Sequence, residues 1–291
     1  MHRYVYRYVE GYVLTKWSVS NITACTSVKR EEVVEVVVDF GLSRISVRVV
    51  GKEVVFPEGS AIPLDYLSSL SENFAYKLIN GSLQRLDLFS EGKYYKLKPV
   101  APTAPPTLEI NGVQMHRTAG MDPWKDTIIK VSALGSLKDK NVLDVCTGLG
   151  YSAIAEVLKG ARHVTTVEKD PNVLYLASLN PWSRGLDDER IRIVLGDAVE
   201  VLKELESEEY DVVFHDPPRY SLAGELYSRE FYSELYRVLK RGGKLFHYTG
   251  EPNKHSNISF IKGVKRRLEE TGFEEVVWID KAKGFRARKP F

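Results

Sequence analysis

Several side chains that could bind or transform a small molecule end or follow successive apolar runs in the second half of the chain. They are the acids Asp144, Glu168, Asp197 and Asp216, the glycines Gly148 and Gly150, and the prolines Pro217 and Pro218. In an open α/β sheet, ligands bind outside the carboxyl ends of the parallel strands. We therefore expect these residues to meet at one edge of a sheet and to form a ligand site.

The two glycines lie in the segment 144–152, Asp-Val-Cys-Thr-Gly-Leu-Gly-Tyr-Ser. Gly148 and Gly150 lack a Cβ, so the backbone can turn tightly and approach a ligand. The helix expected next would offer free N–H groups. A dinucleotide-binding loop usually has a third glycine where this chain has Ala153, and Asp144 would crowd a pyrophosphate. The segment favours a ligand that carries an amine or a positive charge.

Two further acids suit a nucleoside. Glu168, twenty residues beyond Gly148, can accept hydrogen bonds from both ribose hydroxyls. Asp197, between Gly196 and Ala198, offers a carboxylate to an adenine amino group. A single acid at a strand end often only caps the next helix. Four strand ends in succession, each with an acid or a glycine turn, favour binding instead.

The elements that would position these residues alternate between strands and helices. We expect strands at 141–145, 163–167, 191–195, 210–214 and 244–248, helices at 152–158, 172–179, 199–205 and 231–239, and a terminal hairpin of 276–279 and 285–288. Such alternation indicates βαβ units and a mainly parallel sheet. The predicted fold class is α/β, a Rossmann-like, mostly parallel sheet with a C-terminal β-hairpin.

The first hundred residues have a different pattern. The β-branched runs 33–40 and 45–50 predict a hairpin. Leucine and phenylalanine residues at three- and four-residue steps predict a helix over residues 63–79, ending at Asn80-Gly81. This part is expected to be a small β-rich, α+β domain.

The length of 291 residues is about twice that of a typical domain, which predicts two domains. Four prolines in the eight residues 99–106 favour an extended spacer. We place the boundary there, with an N-terminal domain at residues 1–105 that could hold the substrate. Residues 106–291 would then form the ligand-binding domain.

Composition excludes several classes of protein. Hydrophobic residues make up 43% and charged residues 27%, unlike a disordered or collagen-like chain. The 41 basic and 39 acidic residues give a net charge of +2, which argues against a basic coat for nucleic acid. Cys25 and Cys146 are the only cysteines, so disulfide frameworks and metal-type spacings are absent. Without an apolar stretch of about 18 residues or a signal-peptide pattern, we expect a soluble cytoplasmic protein with no membrane partner.

Five segments together resemble the class I S-adenosylmethionine-dependent methyltransferases. They are Leu-Asp-Val-Cys-Thr-Gly-Leu-Gly at 143–150, Val-Glu-Lys-Asp at 167–170, Gly-Asp-Ala at 196–198, Asp-Pro-Pro at 216–218 and Leu-Lys-Arg-Gly-Gly at 239–243. The segments 116–118, 121–127 and 217–228, with the Asp-Pro-Pro-Arg motif, resemble an uncharacterised archaeal group of predicted methyltransferases. The resemblance to that group implies no particular substrate.

The resemblance implies S-adenosylmethionine as the cofactor and no metal, because a sulfonium is already an activated methyl donor. It also implies that Asp144 reaches the amino group of the cofactor, Glu168 its ribose and Asp197 its adenine. The residues expected to contact the cofactor are Asp144, Cys146, Thr147, Gly148, Gly150, Glu168, Lys169, Asp197, Ala198 and Asp216.

The segment 216–220, Asp-Pro-Pro-Arg-Tyr, resembles the Asp/Asn-Pro-Pro-aromatic signature of methyltransferases that act on planar exocyclic amines. A carboxylate and a main-chain carbonyl beside rigid prolines can accept both N–H groups of such an amine. Arg219 replaces the aromatic residue that stacks on the base, and its guanidinium can stack or hold a phosphate or carboxylate. The expected catalytic residues are Asp216, Pro217, Pro218, Arg219 and Tyr220.

Six further residues are candidates to line the pocket. They are His116, Arg117, Thr118, Asp126, His215 and His247. The segment 122–127 could instead cap a helix. A histidine at the end of an apolar strand is more often a buried, satisfied side chain than a general base. A cytosine C5 methyltransferase is excluded, because its nucleophilic cysteine is missing from the acceptor side.

The main functional hypothesis is an S-adenosylmethionine-dependent methyltransferase that N-methylates an RNA base or another planar amine. The first alternative is a spermidine-synthase-like aminopropyltransferase that uses decarboxylated S-adenosylmethionine. Asp126, Asp216 and Glu225 would then recruit a polyamine cation. The second alternative is a non-catalytic module that only binds the cofactor.

Overall fold

The computed structural model describes residues 2–23, 31–250 and 257–291, so Cys25 lies outside the described residues. The strands are β1 (His2–Tyr4), β2 (Tyr12–Leu14), β3 (Glu32–Val38), β4 (Ser43–Val50), β5 (Glu53–Val55), β6 (Ala61–Pro63), β7 (Tyr76–Ile79), β8 (Ser82–Arg85), β9 (Asp87–Ser90), β10 (Lys93–Lys98), β11 (Thr107–Ile110), β12 (Val113–Gln114), β13 (Asn141–Val145), β14 (His163–Glu168), β15 (Ile191–Leu195), β16 (Tyr210–His215), β17 (Leu239–Tyr248), β18 (Glu274–Ile279) and β19 (Gly284–Arg288).

The α-helices are α1 (Lys16–Thr23), α2 (Leu64–Ser68), α3 (Pro123–Ser132), α4 (Tyr151–Leu158), α5 (Pro171–Leu179), α6 (Ala198–Glu204), α7 (Arg229–Val238) and α8 (Asn257–Thr271). Short 3-10 helices cover Asp39–Gly41, Pro181–Asp187, Gly224–Tyr227 and Asp280–Ala282. Over the described ranges, none of these helices has the length and apolar character needed to cross a membrane.

The chain folds into two compact units. The large-sheet unit comprises Met1–Tyr6, Lys125–Leu174 and Gly185–Phe291. The small-sheet unit comprises Arg7–Trp124 and Tyr175–Arg184. Both units therefore combine segments that are distant in the sequence.

The large-sheet unit contains one eight-stranded sheet in the order β1-β15-β14-β13-β16-β17-β19-β18. Strands β15, β14, β13, β16 and β17 are parallel, whereas β1 and β19 run antiparallel to their neighbours. β18 and β19 form the predicted terminal hairpin. The chain order reverses at β13, which pairs with β14 on one side and β16 on the other. The Rossmann-like fold class is confirmed.

The central strands are apolar runs buried on both faces, as expected for parallel strands that helices cover. Val142, Leu143 and Val145 of β13 are fully or almost fully buried. On the neighbouring strands, Phe214 of β16 and Phe246 of β17 stack with 5.3 Å between ring centroids. The packing of these side chains fixes the strand ends that carry the candidate site.

The small-sheet unit contains three antiparallel sheets, ordered β12-β11-β10-β9, β2-β7-β8 and β3-β4-β5-β6. The hairpin predicted from the β-branched runs is present as β3 and β4. The proline-rich residues 99–106 connect the paired strands β10 and β11, with Lys98 opposite Thr107. The domain boundary at residue 105 and the substrate-holding role of residues 1–105 stay predictions.

The helix predicted over residues 63–79 is wrong. Only Leu64–Ser68 is α-helical, and Tyr76–Ile79 forms β7, which pairs with β2 and β8. Asn80 and Gly81, interpreted from sequence as a helix end, form the two-residue turn between β7 and β8, with φ of 48° and 79°. Asn-Gly favours such a turn because both central residues need a positive φ. The spacing of the apolar residues led to the helix prediction, although Asn80-Gly81 is the stronger local signal.

Phe214 tests the packing of the large sheet. Its side chain is fully buried, so Phe214→Ala should leave a cavity and lower the free energy of unfolding by about 3–5 kcal/mol. The control is Phe89→Ala on β9, where the side chain is 72% exposed. That change should stay within about 0.5 kcal/mol. Urea unfolding followed by circular dichroism measures both, and equal losses would contradict the described packing.

Candidate active site

The candidate active site is built on the carboxyl ends of neighbouring parallel strands. β13 is followed by the glycine loop, residues 146–150, and β14 ends in Glu168. The backbone N–H groups of Cys146 and Thr147 both donate to the carbonyl of Val167, at 3.1 and 3.0 Å. These bonds anchor the glycine loop to β14, so the two strand ends form one continuous edge.

The two glycines of the loop serve different purposes. A Cβ on Gly148 would meet no atom within 4 Å, whereas a Cβ on Gly150 would lie 2.5 Å from the Leu186 side chain. Both residues have a positive φ, 54° and 77°, which residues with a Cβ rarely adopt. Gly148 leaves one side of the loop open to a ligand, and Gly150 lets the loop pack on Leu186.

Glu168 is oriented by the glycine loop. Its Oε2 accepts a hydrogen bond from Gly148 N at 2.9 Å, and its Oε1 accepts one from Asp170 N at 3.0 Å. Burial raises the pKa of this half-buried carboxyl, partly opposed by the same N–H groups. A carboxylate has about four acceptor sites. These bonds therefore hold Glu168 in place without using all of its acceptor capacity.

Asp144, an expected cofactor contact, is fully buried in β13. Its Oδ2 accepts hydrogen bonds from Ser152 Oγ at 3.0 Å and Thr166 Oγ1 at 2.8 Å. Its Oδ1 has no hydrogen-bond partner among the described residues. Burial raises the pKa of Asp144 to about 7, against the effect of the two hydroxyls. Thr147, whose Oγ1 lies 2.7 Å from Thr166 Oγ1, extends this hydroxyl network to the loop.

Sequence reasoning missed a second buried acid, Glu156 on α4. It is fully buried, and neither carboxylate oxygen has a hydrogen-bond partner within the described part of the chain. Burial raises its pKa well above the ordinary value, and the charge of Asp144 adds to the effect. A buried carboxyl without a partner is favoured only in its neutral form. The available signal was a single acid within the otherwise apolar run 153–158.

The next strand end carries Asp197, which is exposed and caps α6. Its Oδ1 accepts a hydrogen bond from Val199 N at 2.9 Å. The capping role that the sequence left open is therefore present at this position. Ala198 is buried and Lys169 is exposed. Contacts of Asp197, Ala198 and Lys169 with a cofactor stay predictions.

Asp216 begins the acceptor segment, residues 216–220, directly after β16. Its backbone N–H donates to the carbonyl of Val145 at 3.4 Å, beside the glycine loop. Its Oδ2 lies 2.8 Å from Lys130 Nζ, and Lys130 Nζ lies 3.0 Å from Asp126 Oδ2. The structure thus joins Asp126 and Asp216 through Lys130, which sequence reasoning missed. The signal was the four-residue spacing of Asp126 and Lys130 on a helix.

The rest of the acceptor segment packs on an aromatic side chain. The carbonyl of Pro218, one of the main-chain carbonyls beside the rigid prolines, accepts a hydrogen bond from the hydroxyl of Tyr227 at 2.8 Å. The ring of Tyr220 lies edge-on to Tyr227, with 5.6 Å between centroids. Arg219 and Tyr220 are exposed, and Pro217 is buried. Tyr227 therefore fixes the backbone that follows Asp216.

His215 and His247 form a stacked pair in the interior, with 4.5 Å between ring centroids and 12° between planes. Both are fully buried. His247 Nε2 lies 2.8 Å from the Tyr232 hydroxyl, whereas both ring nitrogens of His215 lack a hydrogen-bond partner in the described residues. Burial lowers the pKa of both, to about 3 for His247. Burial thus favours the neutral form of both rings, and their part in lining a pocket stays a prediction.

The surroundings of the half-buried Cys146 also favour the neutral form of its side chain, the thiol. Burial raises its pKa well above the ordinary value, and the charges of Glu168, Asp216 and Asp144 add to the shift. Since the thiolate is the reactive form of cysteine, this side chain is not an activated nucleophile.

Three candidate pocket residues belong to the small-sheet unit. They are His116, Arg117 and Thr118, all half-buried. His116 Nδ1 lies 3.0 Å from Thr107 Oγ1, and Thr118 Oγ1 donates to Gln114 Oε1 at 2.8 Å. Their part in a pocket stays a prediction.

The model of the spermine/spermidine synthase domain family matches residues 121–278, more than half of the chain. The chain belongs to this family. The matched span contains the glycine loop, Glu168, Lys130 and Asp216. The residues that the geometry brings together are thus part of the spermine/spermidine synthase domain.

The relatives of this domain include proteins with and without a stated activity. An uncharacterised protein of Methanocaldococcus jannaschii is 48% identical over 238 residues, 81% of this chain and 81% of that protein. Polyamine aminopropyltransferase 1 of Streptomyces coelicolor is 43% identical over 122 residues, 38% of this chain and 22% of that protein. The polyamine aminopropyltransferase of Korarchaeum cryptofilum is 29% identical over 153 residues, 51% of this chain and 46% of that protein. The chain spans less than half the length of these two aminopropyltransferases.

Two solved structures share the fold of this spermine/spermidine synthase family member. Spermidine synthase from Thermotoga maritima has a TM-score of 0.53 at 20% identity, covering 75% of this chain and 78% of that one. A spermidine synthase bound to the transition state analogue AdoDATO has a TM-score of 0.55 at 20% identity, covering 75% and 80%. At this identity the similarity shows a common fold.

The comparisons overturn the main functional hypothesis. The family model and the relatives with a named polyamine activity point away from N-methylation of an RNA base, so that prediction is wrong. RNA as a partner has no support. The class I sheet and the general chemistry of a transferase remain. The error has a chemical reason, because methyl and aminopropyl donors share adenosine and a sulfonium, and the strand-end residues do not distinguish them.

Gly150 and Gly148 provide a matched test of the loop. Gly150→Ala should lower the free energy of unfolding by about 1–3 kcal/mol more than Gly148→Ala, because only the former collides with Leu186. Both variants share the cost of a positive φ. Urea unfolding of the two variants measures the difference, and equal stabilities would contradict the packing of the loop on Leu186.

Glu156→Gln should make stability less dependent on pH. The raised pKa values of Glu156 and Asp144 mean that the folded state holds more protons than the unfolded state above about pH 4. The free energy of unfolding therefore falls as pH rises toward neutral, and removing one of these acids should reduce the fall between about pH 5 and pH 8. Urea unfolding at about pH 5 and pH 8 measures this fall in the free energy of unfolding. Glu230→Gln, at an exposed position of α7, is the control. An unchanged dependence of the free energy of unfolding on pH in Glu156→Gln would contradict the raised pKa of Glu156 beside Asp144.

Proposed function

We propose that this chain is an aminopropyltransferase, which moves the aminopropyl group of decarboxylated S-adenosylmethionine to an amine acceptor. The observation that carries the proposal is the family match over residues 121–278. That span contains both the glycine loop and Asp216 with its partner Lys130. Relatives named polyamine aminopropyltransferase support the same reaction class. The partner is then a small amine.

The residues at the strand ends fit the adenosine part of such a donor. Gly148 leaves room for a ligand against the backbone, and the oriented carboxylate of Glu168 suits the ribose hydroxyls. Exposed Asp197 lies at the end of the next strand. When bound, the donor supplies a carbon that a sulfonium has already activated. The task of the protein is to hold and align the reactants and to exclude water.

Asp216 suits the acceptor side of the reaction. Its side chain is 27% exposed, and its backbone is bonded to Val145 at the start of the glycine loop. A carboxylate oxygen here can accept an N–H of a primary amine and turn the nitrogen lone pair toward the donor carbon. The exposed ring of Tyr220 offers apolar surface to the methylene groups of the amine.

Asp216→Asn should lower kcat/KM for aminopropyl transfer by about 100- to 10,000-fold, because the amide cannot orient and deprotonate the amine as a carboxylate does. Donor affinity should stay within about tenfold. The measurements are methylthioadenosine formation by chromatography, with 1,4-diaminobutane as acceptor, and calorimetric titration of decarboxylated S-adenosylmethionine.

The control variant is Asp139→Asn, at an exposed turn with φ of 59°, a conformation that asparagine tolerates. It should keep the wild-type rate. A wild-type protein that yields no methylthioadenosine with a panel of diamines and triamines would contradict the proposed activity. Donor binding that collapses in Asp216→Asn would instead place Asp216 at the donor.

A further inference from the structure

Lys130 is a charged side chain in the interior. It lies near the end of α3 and is 2% exposed. Its Nζ is 2.8 Å from Asp216 Oδ2 and 3.0 Å from Asp126 Oδ2, and it lies 3.6 Å from the centroid of the Tyr248 ring. Asp126 is itself fully buried. One ammonium thus bridges two carboxylates from different elements and rests on an aromatic face.

The surroundings keep Lys130 charged. Burial alone would lower the pKa of Lys130, but the carboxylates of Asp216 and Asp126 and the Tyr248 ring outweigh it and raise the pKa above its ordinary value. An ammonium over an aromatic ring is also attracted by the negative face of the ring. The ammonium is therefore a fixed positive charge beside the acid of the acceptor segment.

Other titratable groups face Asp216 from the neighbouring elements. They are Asp144 on β13, Cys146 in the glycine loop and Tyr227 in the 3-10 helix after the acceptor segment. Burial raises the pKa of each of the three, which favours their protonated, neutral forms. Beside these neutral groups, Asp216 has the charged Lys130 at 2.8 Å, and Lys130 in turn contacts Asp126 at 3.0 Å.

We propose that Lys130 is a positioning residue that holds the carboxylate of Asp216 at the acceptor side and biases a bound amine toward its neutral, nucleophilic form. The inference rests on the proposed aminopropyl transfer. An amine that bonds to Asp216 comes within a few ångströms of the Lys130 ammonium, and a like charge at that range disfavours the protonated amine. Only the unprotonated nitrogen has the lone pair that attacks carbon.

A purely structural role for Lys130 predicts something different. The ammonium would then serve only to neutralise the buried carboxylate of Asp126, four residues earlier on α3. Its removal would lower stability and the amount of active protein, but it would not change the protonation state of the bound amine. The sign of the charge, rather than the packing of the side chain, separates the two roles.

The first test is the pH dependence of kcat with saturating donor and 1,4-diaminobutane, since kcat reports groups in the bound complex. Lys130→Met removes the positive charge, so the acidic limb of the pH profile of kcat, along which the bound amine loses its proton, should move to higher pH by about 1 unit or more. Lys130→Arg keeps the charge, so its limb should stay near that of the wild type. Asp126→Asn removes a negative charge on the same helix, so its limb should move to lower pH.

The second test does not need turnover. Calorimetric titration of 1,4-diaminobutane in buffers of different ionisation enthalpy counts the protons released when the diamine binds. At about pH 8 Lys130→Met should release clearly fewer protons per diamine than the wild type, and Asp126→Asn should release at least as many as the wild type. If Lys130→Met does not fold, the double variant Asp126→Asn/Lys130→Met removes both charges of the pair. It should release fewer protons than Asp126→Asn alone.

The two readouts separate the inference from the proposed activity. Proton release that depends on Lys130 in a protein that forms no methylthioadenosine would support the role of Lys130 and contradict aminopropyl transfer. Two results would overturn the role of Lys130. One is turnover with equal proton release in Lys130→Met and the wild type. The other is a shift of the acidic limb of the pH profile in the same direction in Lys130→Met and Asp126→Asn.

Discussion

The acceptor side of the site depends on one buried ammonium. Lys130 and Asp216 are 86 positions apart in the chain, and their contact links α3 to the end of β16. Taking a carboxylate and an ammonium out of water costs several kcal/mol per ion, and only good geometry offsets this. Here the geometry includes a second carboxylate and an aromatic face. The cluster connects α3, the end of β17 and the acceptor segment.

Around that cluster, the large sheet contains many titratable groups that it keeps uncharged. Burial raises the pKa of Glu156 and Cys146 and lowers the pKa of the stacked pair His215 and His247. In all four cases the shift favours the neutral form. A low-dielectric surrounding without competing charges strengthens every interaction of the charges that remain. The interior therefore concentrates its electrostatic effect on Asp216, a carboxylate that is partly open to solvent.

The strand ends could be predicted from sequence because apolar runs that alternate with helical patterns specify a parallel sheet, and sheet topology then dictates where the ends meet. The helix over residues 63–79 failed because a turn signal, Asn80-Gly81, outweighed apolar periodicity. Lys130 and Glu156 escaped notice for another reason. The four-residue spacing of Asp126 and Lys130 predicts an ion pair, and a single acid marks the apolar run 153–158, but neither signal reveals that tertiary packing removes these side chains from water. The choice between methyl and aminopropyl transfer could not be made from the strand-end residues either, because both donors contain adenosine and a sulfonium; the family match separated the two.

The conformation and environment of Cys146 have a consequence for the reactivity of its thiol. The residue occupies a left-handed position in the glycine loop, with φ of 76°, where glycine would be less strained. A thiolate at this point would be open to alkylation by an electrophile that reached the glycine loop. The raised pKa of the thiol suppresses that side reaction. The surroundings of this half-buried sulfur atom thus lower the nucleophilicity of the loop.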